Sequence, residues 1–233
     1  MATSSSKNFE PDVAEYIEEA FERCGLELRT GYDLKSANRS LNLMLAEWAN
    51  RGLNQWTIQE KTVSMVKDTR EYNVDSTNGT APIDVLDVFI RETVSSETTD
   101  LPMTRLSRAE YSHIVNKSST GKPNQFFIDK QITPKISVWP TPDKSSTYTV
   151  VMNVLTRMDD SDSATNTMEV PFRFYPCLTA GLAYYISMKR APERTAMLKS
   201  MYEEEFTRAL SQDEDRASFR ISRSGSAYSD GEV

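Results

Sequence analysis

The sequence predicts an α+β protein in which both ends of the chain contribute to an α-helical bundle domain of about four helices. Apolar residues recur at spacings of three and four near both ends, which is typical of amphipathic helices. Between these ends, apolar and polar residues begin to alternate and β-branched residues become frequent, which favours strands. We therefore expect the two halves of the helical domain at 1–54 and 158–217, an inserted β-rich domain at 55–157 and a flexible C-terminal tail at 218–233.

The first predicted helix has one apolar face and one acidic face. Pro11 lies near its first turn, and Gly25 supplies the left-handed residue that ends it. The apolar positions are Val13, Tyr16, Ile17, Ala20, Phe21 and Cys24. The opposite face carries Glu15, Glu18, Glu19 and Glu22. These glutamates indicate either a solvated outer face or a negative stripe that faces a channel or a partner.

A second helix is predicted from Asp33, as its N-cap, to Gly52. Its apolar stripe comprises Leu34, Ala37, Leu41, Met44, Leu45 and Trp48. An antiparallel partner such as the first helix could cover this stripe. Leu43 lies away from the stripe, so it is either an exposed leucine or part of a contact between subunits.

The central segment predicts several short strands and one short helix. The strand candidates are 56–66, 71–74, 85–92, 125–129, 135–139 and 147–156. They form a sandwich or a strongly curved sheet. Ser107 and Glu110 have the spacing of a capping box, which starts a helix that ends near Val115 and contains the sole histidine, His113.

The third predicted helix, 171–189, is apolar on all sides. Its apolar residues include Phe172, Phe174, Tyr175, Cys177, Leu178, Leu182, Ala183, Tyr184, Tyr185, Ile186 and Met188. One neighbouring helix cannot hide all of them, so this helix is either central or meets another subunit. Together with Leu43, the residues Phe174, Leu178 and Tyr185 are the candidates for a subunit interface.

A fourth helix begins after Pro192 and has one apolar face, made of Met197, Leu198, Met201, Tyr202, Phe206, Ala209 and Leu210. The tail that follows combines serines and glycines with a few potential anchors. Phe219, Ile221 and Tyr228 suit apolar pockets, and Arg220 and Arg223 suit carboxylates. The composition indicates either a segment that becomes ordered when it binds a partner or a frayed terminus.

Composition argues against several classes of function. The net charge is −7, and the acidic excess lies on the helical segments and the tail, so the chain is a poor sequence-independent DNA binder. The N-terminus lacks the apolar region of a secretion signal, and the longest apolar run is too short to span a membrane, which favours a cytosolic origin. Cys24 and Cys177 fall in helical patterns and are interpreted as core residues.

No motif for catalysis, a metal or a cofactor is recognisable. His113 has no nearby nucleophile, and the acidic loop at 157–168 lacks the spacing of a calcium-binding loop. A cell-wall hydrolase would need two paired carboxylates, and no such pair can be identified. A receptor- or carbohydrate-binding module could use Phe126, Phe127 and Trp139, although their alternation with polar residues is more typical of a core.

The order of these elements resembles the head-to-tail adaptor proteins of short-tailed bacteriophages, the podoviruses. The most diagnostic stretch is LNLMLAEWANRGLNQW, from Leu41 to Trp56, which is similar to their second helix and its exit. The β-rich insertion makes the chain similar to the tail tubular protein A type, and the resemblance spans nearly the whole chain.

The resemblance implies a structural protein of the virion and not an enzyme. It implies a ring of twelve copies under the portal protein, joined below to a tail nozzle protein of the tail tubular protein B type, with tail fibres as a further candidate partner. In that family the C-terminal segment engages the portal, and the ring seals the head after DNA packaging. Double-stranded DNA then passes through the lumen without specific binding, and assembly takes place in the cytoplasm of the host.

Overall fold

The computed structural model describes residues 5–6, 8–53, 55–74, 82–94, 96–131 and 133–213. Over these residues it is mixed α+β, which confirms the predicted fold class. Its α-helices are α1 (Val13–Arg23), α2 (Gly31–Arg51), α3 (Arg108–His113), α4 (Tyr175–Arg190) and α5 (Thr195–Asp213). None of these described helices combines the length and the hydropathy needed to cross a membrane. The predicted tail, with its candidate anchors, lies outside the described residues.

The helix ends follow from local side-chain chemistry. Asp12 caps α1 and forms a capping box with Glu15. Thr30 caps α2, so the prediction of Asp33 as the N-cap was wrong: Asp33 lies in the first turn and its backbone N–H donates to the Thr30 side chain. Gly52 ends α2 in the left-handed conformation, at φ 86°, as predicted.

The strands form two four-stranded sheets and one two-stranded sheet. The strands are β1 (Ile58–Ser64), β2 (Glu71–Asn73), β3 (Asp84–Val94), β4 (Glu97–Pro102), β5 (Thr104–Arg105), β6 (Thr120–Gly121), β7 (Gln125–Asp129), β8 (Lys135–Trp139), β9 (Thr141–Pro142) and β10 (Tyr148–Leu155). The first sheet has the order β1-β10-β3-β4, and the second has the order β2-β8-β7-β5. Strands β6 and β9 pair in parallel.

All six predicted strands are present, but the two-residue strands β5, β6 and β9 and the longer strand β4 were missed. Its six residues are polar or isolated in the sequence, and every one of them is exposed. Antiparallel pairing with β3 alone defines this strand, for example Arg91 opposite Asp100. An edge strand of this kind has no buried face, so it leaves no alternating pattern in the sequence.

The described residues contain two separate apolar cores. One lies among the helices and includes Ile17, Leu41, Trp48, Phe174 and Tyr202. The other lies between the two four-stranded sheets and includes Ile90 and Val150 from one sheet and Phe126, Ile136 and Val138 from the other. The helices therefore bury their apolar side chains mainly against other helices, and the strands bury theirs mainly against other strands.

Helix α4 occupies the centre of the helical part. It contacts α1, α2 and α5, and no residue from Cys177 to Ser187 is exposed. The sequence left open whether this apolar helix is central or meets another subunit, and in this structure it is central. Phe174 and Leu178, predicted as subunit-interface residues, are completely buried by their own chain and have no surface left for a neighbouring subunit.

The two connections between helices and strands run side by side. Thr57 precedes β1 and Thr156 follows β10, and these two strands pair antiparallel. The two threonines exchange side-chain hydrogen bonds: Thr57 Oγ1 donates to the Thr156 carbonyl at 2.9 Å, and Thr156 Oγ1 donates to the Thr57 carbonyl at 2.8 Å. Both residues are buried, so these bonds are shielded from water at the point where the chain changes from helix to strand.

Helix α5 turns a narrower apolar face inward than predicted. Leu198, Tyr202 and Phe206 are buried, whereas Met197 and Met201 are exposed, so the assignment of both methionines to the packed face was wrong. Each methionine precedes a buried residue by one position, which rotates it by about 100° around the helix axis. The contact of α5 with α4 selects one stripe, and the methionines remain outside it.

Substituting Gly181 with alanine tests the central position of α4. A Cβ atom at residue 181 would lie 2.4 Å from Met44 Sδ and 2.8 Å from Tyr202 Cε2. Overpacking of this kind costs about 1–3 kcal/mol, which exceeds the roughly 0.5–1 kcal/mol that alanine contributes as a better helix former. We expect Gly181→Ala to lower the free energy of unfolding in urea titration by about 1 kcal/mol or more.

Gly31→Ala is the matched control, because no atom lies within 4 Å of the added Cβ. This variant should be as stable as the wild type or slightly more stable. Equal stability of the two variants would show that α2 and α5 do not approach α4 as closely as described.

Candidate interaction surfaces

An aromatic groove lies between α1, the start of α4 and residues 8–12, which we call the N-terminal arm. It has a volume of about 570 Å³. Four aromatic residues and two prolines form its apolar lining: Phe9, Pro11, Tyr16, Phe172, Tyr175 and Pro176. Phe9 and Phe172 are each 68% exposed, which is unusual for phenylalanine in a folded chain. Exposed aromatic groups around a concave surface are typical of a binding site.

The loop at 157–168 holds the start of α1 beside this groove. The backbone N–H of Val13 donates to the Asn166 carbonyl at 3.0 Å, and that of Ala14 donates to the Ala164 carbonyl at 2.9 Å. These carbonyls satisfy N–H groups that have no partner within the first turn of a helix. Most of the loop is exposed, and through these two bonds it also supports the start of α1.

The aromatic rings of the groove contact one another edge to face. The Tyr175 ring lies 5.6 Å from Tyr16 and 5.4 Å from Phe172, measured between centroids. The Tyr16 hydroxyl is buried beside Tyr175 and forms no hydrogen bond of good geometry with the described residues. Burial raises the pKa of Tyr16, and the neighbouring Tyr175 adds to this effect. The Tyr16 hydroxyl is therefore neutral and shielded from solvent by the residues around it.

Charged residues surround the groove. Glu15 and Glu19 of α1 line one side together with Arg23, and Arg173 lies beside Tyr175. Arg23 Nε donates to Glu19 at 2.8 Å, and the Arg173 guanidinium lies 3.6 Å from Asp213. Asp213 is the last residue of α5 and is buried, and it also accepts a hydrogen bond from the Gln55 backbone at 3.0 Å. The end of α5 is thus fixed beside the groove.

The glutamates of α1 stand on the outer surface. Glu15, Glu18, Glu19 and Glu22 are all exposed, whereas Val13, Ile17 and the other predicted apolar positions are buried. The amphipathic division predicted for α1 is therefore confirmed. The sequence left open whether this face meets solvent or a partner.

A group of charged and polar side chains joins α2, α4 and α5. Arg51 donates two hydrogen bonds to the Glu203 carboxylate, at 3.2 and 2.6 Å, and its guanidinium lies 3.6 Å from the centroid of the Phe206 ring. Glu47 lies 3.5 Å from Arg51 and accepts a hydrogen bond from the Tyr185 hydroxyl. We refer to Glu47, Arg51, Tyr185 and Glu203 as the Arg51 cluster.

The Arg51 cluster shifts the pKa values of Glu203 and Tyr185. The hydrogen bonds from Arg51 lower the pKa of Glu203. Burial raises the pKa of Tyr185, and the Glu47 carboxylate raises it further. At neutral pH the cluster therefore contains an ionised glutamate beside arginine and a protonated tyrosine that donates to a second glutamate.

The predicted subunit-interface residues differ in how much of their surface is exposed. Leu43 is 58% exposed on α2, and Tyr185 is half-buried with its hydroxyl bound to Glu47. Phe174 and Leu178 are inside the helical core. The predicted partner-binding residues Phe219, Arg220, Ile221, Arg223 and Tyr228 lie outside the described residues.

Sequence reasoning did not single out Phe9, and it placed Phe172 with the buried residues of the third helix. Phe9 stands alone in a polar stretch two residues before Pro11, so no periodicity marks it. Phe172 belongs to a short 3₁₀ turn, Phe172–Phe174, which precedes α4 and turns the ring outward.

The described residues contain no group of three or more His, Cys, Asp or Glu side chains arranged to hold a metal ion. His113 is exposed on α3. Phe126 and Phe127 are buried, as their alternation indicated, and Trp139 is half-buried with its indole N–H donating to the Asn116 carbonyl. Cys24 and Cys177 are buried thiols, as predicted, and burial raises the pKa of Cys177 to about 12.

A family model described as SU10 adaptor protein matches residues 11–226. The match therefore includes all the described helices and strands and extends past α5 into the C-terminal residues. No curated protein matches the chain.

The Arg51–Glu203 pair predicts a specific dependence of stability on pH. The pKa of Glu203 is lowered in the folded state, so the pair contributes stability above the usual glutamate pKa of about 4.3 and loses it as the pH falls through the lower, folded value. The pair is partly exposed, so we expect Glu203→Gln to reduce the free energy of unfolding at pH 7 by no more than about 1 kcal/mol. The difference from the wild type should shrink as the pH falls below about 4.3 and the Glu203 carboxylate becomes protonated.

The matched control is Glu204→Gln, which alters the adjacent, more exposed glutamate that pairs with Arg208. The measurement is the thermal unfolding of the wild type, Glu203→Gln and Glu204→Gln between pH 7 and pH 3. A gap between the wild type and Glu203→Gln that stays constant over this range would refute the assigned role of the Glu203 carboxylate.

Proposed function

The chain belongs to the SU10 adaptor protein family, and we propose that it forms the ring that connects the portal to the nozzle of a short-tailed phage. The family assignment makes it a phage adaptor, a structural protein associated with the virion. The finer proposal is an adaptor of the tail tubular protein A type, in twelve copies. The observation that carries it is the extent of the match, which covers both helical segments, the strands and the tail as far as residue 226.

The proposed domain arrangement follows the two apolar cores. The helices, from 1–54 and 158–217, would form the wall of the ring, and the strands of 55–157 would form a separate domain directed toward the nozzle or the tail fibres. Exposed apolar residues on β3 and β4, namely Leu86, Val94 and Leu101, supply contact surface for such partners. The tail of 218–233 would engage the portal protein.

A closed ring joins two different surfaces of each subunit. Leu43 on α2 and the exposed Met197 and Met201 on α5 provide apolar groups on two separate helices. Methionine adapts its shape to the surface that it meets, which suits a contact formed during assembly. Phe174 and Leu178 are not included in this contact because both are buried within the chain.

The proposed mechanism is mechanical and electrostatic. A ring of chains that each carry a net charge of −7 would repel the DNA phosphates, so DNA could move through the lumen without adhering. The exposed glutamates of α1 are candidates for such a surface. Sealing of the head after packaging would then depend on protein contacts around the channel and not on DNA binding.

Electron microscopy of purified protein mixed with portal rings of the same phage tests this proposal directly. We expect a second ring of the same rotational symmetry to stack on the portal. The protein alone and the portal alone are the controls. Monomers that leave the portal rings undecorated, at concentrations well above those in the assembly mixture, would contradict the proposal.

The tail gives a sharper test. Deletion of Ser218–Val233 should weaken binding to the portal while the far-ultraviolet circular dichroism shows that the helices and strands remain folded. In the full chain, alanine at Phe219, Ile221 and Tyr228 should reproduce the loss, and alanine at Ser218, Ser222 and Ser226 should not. Unchanged binding of the truncated protein to portal rings would rule out the tail as the portal contact.

A further inference from the structure

The aromatic groove leaves apolar surface uncovered within the described chain. Phe9 and Phe172 project beside it with two thirds of their surface exposed. Exposed aromatic rings around a concave surface indicate an occupant that brings apolar side chains.

The described chain ends at the rim of this groove. Asp213 is its last residue, and its carboxylate lies 3.6 Å from the guanidinium of Arg173, which lines the groove. An extended chain spans at most about 3.3–3.6 Å per residue, so the six residues from Asp213 to Phe219 reach about 20 Å. The residues that follow α5 can therefore enter the groove without any movement of the helices.

The sequence after α5 complements the groove in both charge and polarity. Residues 216–223, RASFRISR, contain three arginines and no acidic residue. Phe219 and Ile221 are two positions apart, so in an extended chain they point to the same side while Arg220 points to the other. On the α1 side of the groove stand the exposed carboxylates of Glu15 and Glu19, with Glu18 and Glu22 further out.

The other end of the chain does not offer a comparable occupant. Residues 1–7, MATSSSK, lead to Phe9 and contain one large apolar side chain, Met1, and one cation, Lys7. They cannot supply two apolar anchors on one side together with several positive charges.

We propose that residues 216–223 of the chain dock in its own aromatic groove. Phe219 and Ile221 pack against Phe172 and Tyr175, and the arginines face Glu15 and Glu19. The docked segment covers Phe9. In the isolated protein the C-terminal segment is thus held on the helical surface, and any partner that takes up the segment also uncovers the groove.

Disulfide trapping in the full-length protein tests this docking. Ser218→Cys and Glu19→Cys place one thiol beside the tail anchors and one on the exposed rim of the groove. The native Cys24 and Cys177 are buried, and burial raises the pKa of both thiols, so they should react slowly. Under mild oxidation we expect an intramolecular disulfide between residues 19 and 218, identified by peptide mass spectrometry.

The matched control is the same double-cysteine protein with Phe219→Ser and Ile221→Ser. Loss of two buried apolar anchors should slow the intramolecular cross-link by about ten-fold or more. Equal rates with and without the anchors would overturn the proposal, since cross-linking would then report only collisions of a tethered chain. Cross-links that form exclusively between molecules would also overturn it, because the occupant would then be the tail of a second copy.

This experiment needs no portal, so its failure is distinct from a failure of the adaptor role. A protein that decorates portal rings but shows no anchor-dependent cross-link retains the proposed function and loses only the intramolecular docking site.

Discussion

The enclosure of α4 by three other helices is the constraint on which the helical part depends. Its residues from Cys177 to Ser187 have no exposed position, and α1, α2 and α5 are each placed by their contact with it. Gly181 makes this approach feasible, because Met44 and Tyr202 occupy the space that a side chain would need. Trp48 then donates its indole N–H to the Tyr202 hydroxyl at 3.0 Å, which ties α2 to α5 across the same core. Close packing around Gly181 thus sets how closely α2 and α5 approach α4.

The strands depend on a different constraint, which is the pairing of β1 with β10. Strand β1 follows the first helical segment, and β10 precedes the second. Their antiparallel register begins with Ile58 opposite Leu155. The reciprocal hydrogen bonds of Thr57 and Thr156 close this pair at the helical end. Both connections are therefore held at one place, and the two apolar cores can form without exchanging residues.

The surface combines acidic helices with a few concentrated apolar sites. Around the groove, an acidic helix, exposed aromatic rings and the end of α5 meet within a small area. Charged side chains of α1 thus border exposed aromatic rings, a combination that is typical of a binding surface. The Arg51 cluster stabilises the packing of α2, α4 and α5 close to the exposed methionines of α5, so the surface proposed for subunit contact rests on fixed helices.

The sequence by itself determined the fold class, the amphipathic faces of α1 and α2, the capping box of α3 and most strands. These features depend on residues close together in the chain: periodicity fixes the buried face, Gly52 ends α2, and Ser107 with Glu110 starts α3. The tertiary structure alone decided the remainder. Pairing with β3 creates the exposed strand β4, contact with α4 chooses Tyr202 over Met201, and the arm, α1 and the start of α4 together build the groove. Such choices depend on residues far apart in the chain, and a local pattern carries no information about which distant surface will cover it.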